Sequence, residues 1–142
     1  MTTILGILTW LTSKKAYLAS YADDESAKKV AARLWNSVTS YELWAFVFML
    51  CLTIAFCYYY YFPFNNKPGR HYHLKFWALF YVMTVVFILF GTFFFFLCCA
   101  KNSGFDTWLL WRISFMNAAY SFLAYIVCSI MFSRKSNAYP LI

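Results

Sequence analysis

The sequence predicts an all-α integral membrane protein: three transmembrane helices preceded by one or two amphipathic interfacial helices. Leu74–Ala100 is a long apolar run whose only formal charge is Lys75. At about 1.5 Å rise per residue it exceeds a hydrocarbon core of roughly 30 Å. Two further stretches, 43–62 and 107–132, are each long enough to span, which takes about 20 apolar residues. The chain of 142 residues is 63% hydrophobic and 12% charged, about half the charged share of a soluble domain, which is roughly 25%. Its organisation follows: 1–40 a membrane-surface or docking region, 41–133 the three-helix membrane domain with spans near 43–62, 74–100 and 107–132, and 134–142 a short tail.

Met1–Thr12 is apolar but too short to span. On a helix, Thr2, Gly6, Thr9 and Ser13 would share one side, with Ile4, Leu5, Ile7, Leu8 and Leu11 opposite, as in a helix lying on the bilayer or docking on a neighbouring subunit. Lys14 and Lys15 follow the apolar residues rather than precede them, the reverse of a secretory signal. Ala16–Ala22 has no clear period. Asp23, Asp24 and Glu25 mark a helix start, since acids there offset the macrodipole and cap free N–H groups. Beyond them Ala27, Val30, Ala31, Leu34, Trp35 and Val38 recur at helical spacing, with Lys28, Lys29, Arg33 and Asn36 elsewhere on the cylinder. This is the pattern of a basic amphipathic surface helix.

Thr39 with Glu42 three residues on fits a capping box. The surface helix is therefore expected to break there, and a separate first span to begin. Tyr58–Tyr61 point all round a helix and are expected to form an interfacial aromatic belt. Pro63–His73 is the clear turn. His71 and His73 offer two metal ligands, but a zinc site needs one or two more. The five acids lie at or before Glu42 or at Asp106, on the opposite face of a three-span topology. No metal site is expected, and the His pair is read as facing head groups.

In the second span, Thr84, Gly91 and Cys98 recur every seven residues. In the third, Ser114, Asn117, Ser121, Ala124 and Cys128 follow spacings of 3, 4, 3 and 4. Small and weakly polar residues on one stripe allow close helix approach, so both rows are expected to be packing seams. Lys101–Gly104 is a short polar turn and Asp106 a cap for the third span, making spans two and three an antiparallel hairpin. Trp108 and Trp111 are expected at the interface, and Arg112 is placed to snorkel to phosphates. Cys51, Cys57, Cys98, Cys99 and Cys128 are odd in number and lack a Cys-x-x-Cys spacing, so they are read as small hydrophobes.

The formal net charge is +7. In a membrane protein that excess points to anionic head groups, through Lys28, Lys29, Arg33, Lys67, Arg70, Lys75, Arg112, Arg134 and Lys135. No basic run is long enough to form a nucleic-acid groove. No Ser/His/Asp set, glycine-rich phosphate loop or carboxylate pair can be assembled on one face of the bilayer, so neither catalysis nor a cofactor is expected. The leading expectation is a non-enzymatic subunit that scaffolds or anchors a larger multi-protein membrane complex. Its partners would be lipids and other integral subunits or copies of itself. The alternatives are a homo-oligomeric pore lined by the third span and an interfacial lipid-acting enzyme using Arg70, His71 and His73. Lys14, Lys15, Lys28, Lys29, Arg33, Lys101 and Arg112 share one side, against five basic residues on the other. This favours a cytoplasmic or matrix N-terminus, in a bacterial inner or an organellar inner membrane.

Overall fold

The computed structural model describes residues 13–65, 74–99 and 106–133, and every regular element among them is helical. The first, α1 (Lys14–Ala19), is capped by Ser13, whose hydroxyl accepts from the Ala16 N–H at 3.1 Å. So short a helix does not persist by itself. It is held by Tyr17, buried with its ring 5.4 Å from that of Trp35, and by Lys14, whose Nζ donates to Asn36 Oδ1 at 3.0 Å. After a turn, Asp24 caps α2 (Glu25–Tyr59) by accepting from the N–H groups of Ser26 and Ala27 at 2.8 and 3.2 Å.

The expected break at Thr39 does not occur. α2 runs unbroken for 35 residues, about 52 Å. A capping Thr would accept from an N–H. The Thr39 hydroxyl instead donates to the carbonyls of Trp35 and Asn36 at 3.0 and 3.1 Å. The physical reason is the inward face. Ala31, Leu34, Trp35, Val38, Glu42, Ala45, Met49, Thr53 and Cys57 form one continuous buried line, and its packing outweighs a cap worth about 1 kcal/mol.

At its far end α2 passes into a π-turn, Tyr60–Phe64, that contains Pro63. Proline has no N–H to give to the helix, and such a site favours the wider turn. Asn65 Nδ2 donates to the Tyr60 carbonyl at 2.7 Å, satisfying an acceptor there. The tyrosine run consequently does not form a uniform belt: Tyr58 and Tyr59 are about half exposed, while Tyr60 and Tyr61 are buried.

The remaining helices are α3 (Leu74–Cys99) and α4 (Thr107–Ser133). α2, α3 and α4 pack pairwise, most extensively α3 against α4. Each of the three is long and apolar enough to cross a membrane. Their outer faces carry exposed Phe48, Ile54, Phe87, Phe94, Leu123 and Met131, a surface suited to lipid and far too apolar for water. One apolar cluster, containing Tyr17, Trp35, Val38, Phe96, Leu110 and Ile113, closes the end near α1. A second, around Cys57, Tyr60, Tyr61 and Tyr125, closes the other.

Candidate functional site

Polar side chains gather in three places. Along the bundle axis, Ser114, Asn117 and Ser121 of α4 are fully buried, as are Thr84 and Thr92 of α3 and Thr53 of α2. Asn117 Nδ2 donates to Thr92 Oγ1 at 2.8 Å and to the Ala45 carbonyl at 3.3 Å, joining all three long helices through one amide. Ser114, Ser121 and Thr84 turn their hydroxyls onto carbonyls of their own helices.

The two expected seams are placed differently from each other. Past Ser121 the buried line of α4 continues through Tyr125 and Ser129, with Ala124 and Cys128 partly buried beside it. On α3 the buried line is Thr84, Ile88, Thr92 and Phe96, a spacing of four. A spacing of seven drifts off it: Gly91 is partly buried, its missing Cβ position 3.4 Å from Phe48 Cε1, and Cys98 is exposed. Glu42 is the residue that sequence reasoning placed at the wrong boundary. It is 3% exposed and points inward with Val38 and Ala45. Its spacing of four from Val38 and three from Ala45 was the available signal. At that exposure the carboxyl is enclosed within the helical bundle.

The second place is built around Asp106, just before α4. Its Oδ1 accepts from the Leu109 N–H at 3.1 Å, a helix cap. Its Oδ2 accepts from the hydroxyls of Tyr17 and Tyr21 at 3.0 and 3.1 Å. One carboxylate thus fastens the α1 region to the mouth of α4. Burial, and then the bond to Asp106, raises the pKa of both phenols above the ordinary value of 10.0. Beside this knot lies a cleft of about 340 Å³, lined by Ser20, Tyr21, Asp106, Trp108 and Arg112 among others. Trp108 is 69% exposed. Trp111, expected with it at the interface, stacks on Phe93 of α3 with ring centroids 4.3 Å apart. Sequence reasoning missed Tyr17 and Tyr21, because their partner lies more than 80 residues away and only their i, i+4 spacing hints at a shared face.

The third place is at the opposite end. Ser129 Oγ accepts from Trp77 Nε1 at 2.8 Å and also bonds the Tyr61 hydroxyl, tying α2, α3 and α4 together. Of the basic residues assigned to head groups, Lys28, Lys29, Arg33, Lys75 and Arg112 are exposed. Lys67, Arg70, Arg134 and Lys135, the pair His71 and His73, and the Met1–Thr12 segment lie outside the described residues. Among the described residues no group of three or more His, Cys, Asp or Glu could hold a metal ion, and the five cysteines are free thiols. Comparison with known proteins finds no match to the chain, whether among protein-family models, curated proteins or solved structures.

Proposed function

We propose that this chain is a non-enzymatic, multi-pass membrane subunit that anchors or scaffolds a larger assembly in the bilayer, with its N-terminal side cytoplasmic or matrix-facing. The observation that carries this reading is the unbroken α2, which continues from a span into a polar extension with no hinge. That extension exposes Lys28, Lys29, Arg33, Asn36 and Ser40 along its outer side. Such a post has the properties an anchor needs. It is fixed in the membrane by three packed helices, braced at the water boundary by α1 and Asp106, and offers a charged stripe beyond it. Of the buried polar groups described above, Asn117 with Thr92 and Ser129 with Trp77 and Tyr61 join helices, while Ser114, Ser121 and Thr84 bond their own helices.

The test is gentle detergent extraction of the tagged full-length chain from its native membrane, after photo-crosslinking from position 40 on the same exposed stripe. Specific, stoichiometric crosslinks to other membrane subunits, abolished by reversing the charge of Lys29 and Arg33, are expected. Isolation as a stable monomer without crosslinks would overturn the proposal.

A further inference from the structure

We infer that the cleft between the α1 region and the first turn of α4 binds the head group of a zwitterionic phospholipid with a primary ammonium group, Arg112 taking the phosphate and Asp106 the ammonium. Its depth is the first reason. The cleft opens beside Trp108, which is 69% exposed, and exposed tryptophans settle at head-group level. This rests on the membrane reading proposed above, on which the site sits among phospholipid head groups.

Charge and unused bonding capacity select among head groups. One carboxylate and one guanidinium line the same cleft, so it is neutral overall and presents both signs. Asp106 spends three acceptor positions on Tyr17, Tyr21 and the Leu109 N–H, of about four that a carboxylate offers. One remains for an N–H donor. A quaternary ammonium has no N–H to give, and a purely anionic head group would set its charge against Asp106. Arg112 is exposed, and among the described residues no protein group engages its five donors, whose planar fork suits phosphate. A volume of about 340 Å³ lies near the lower end of ligand sites, roughly 300–1,000 Å³, and fits a head group with its acyl chains left outside along the apolar face of α4.

The test uses the full-length chain reconstituted in vesicles of equal phosphatidylethanolamine, phosphatidylcholine and phosphatidylglycerol, with retained lipid counted by native mass spectrometry after mild extraction. Phosphatidylethanolamine should be retained roughly tenfold over the others, the size of one well-made charge-assisted bond. The deciding variant is Asp106→Asn, which keeps an oxygen to cap α4 but loses the charge that holds the ammonium, and it should bring phosphatidylethanolamine down to the phosphatidylcholine level. Arg112→Gln removes the phosphate contact common to the three lipids and should lower the retention of each, while Lys15→Gln, at an exposed position outside the cleft, leaves retention and preference intact. Equal retention of all three lipids, preference for phosphatidylglycerol, an undiminished preference in Asp106→Asn, or an equal loss with Lys15→Gln would overturn the assignment. Binding of soluble phosphoethanolamine as tight as that of the lipid would make the ligand a free metabolite and overturn it too.

Discussion

Removal of the Asp106 carboxylate tests how the α1 region is held. In Asp106→Ala three bonds disappear: the cap to the Leu109 N–H and the acceptors for Tyr17 and Tyr21. The cap is worth about 1 kcal/mol. Hydrogen bonds to a charged group contribute roughly 1.5–3 kcal/mol when fully formed, but Asp106 and Tyr21 are only partly buried, so about 1 kcal/mol for each phenol is the realistic share. Asp106→Ala should therefore lose about 3 kcal/mol in the wild-type background, and about 1 kcal/mol where Tyr17 and Tyr21 are already Phe. The measurement is SDS-induced unfolding in mixed micelles, followed by tryptophan fluorescence and assembled into that double-mutant cycle. A coupling of about 2 kcal/mol is expected, and one below about 0.5 kcal/mol would refute the carboxylate as the fastening.

The same phenols set a pH dependence. Their pKa is raised in the folded state, so the stability they bring is complete below the ordinary value near 10 and declines as pH rises above it; limited proteolysis of residues 13–24 should accelerate there, but not in the Tyr17→Phe, Tyr21→Phe double variant. Ser129→Ala strips the shared partner of Trp77 and Tyr61 and should lose about 1–2 kcal/mol in the SDS assay, between the average of about 0.6 for membrane hydrogen bonds and the larger penalty for orphaned buried groups; an unchanged midpoint would show that these groups re-pair. Gly91→Ala meets only ordinary contact with Phe48 at 3.4 Å and improves helix propensity, so stability should hold or rise by up to about 1 kcal/mol; a loss of similar size would restore Gly91 as a close-approach position.

How much of this was legible in the sequence depends on the range of the force involved. The three long apolar helices were legible because length and composition alone decide them. The cap at Asp24 and that at Asp106 were legible because each needs only a residue and its next three neighbours. The break expected at Thr39 failed because a capping box is a local signal, and it competed with a buried face running from Ala31 to Cys57. The tyrosine run was misread because one proline widens the turn around it and brings Tyr60 and Tyr61 into the core together. On α3, a spacing of seven and a spacing of four both contain Thr84, and only the partner helices show that Thr92 belongs inside and Cys98 does not.

An unbroken α2 has a consequence that a hinged one would lack. Lys29, Arg33, Asn36 and Ser40 are exposed at spacings of 4, 3 and 4, opposite the buried Leu34, Val38 and Glu42, so their direction is fixed by the same helix that is locked into the bundle at Ala45 by Asn117. A break at Thr39 would have let the basic stripe swing onto the bilayer surface regardless of how the span is rotated. With the helix continuous, rotating the stripe requires rotating the span, and that would pull Ala45 from Asn117 and Trp35 from Tyr17. The α1 region and Asp106 resist that rotation a second time, because they connect the side of α2 to the mouth of α4 across the bundle. On the reading proposed above, a partner on the exposed stripe would be coupled mechanically to the packing of the three long helices, and this coupling, more than the number of basic residues, is what an anchor would use.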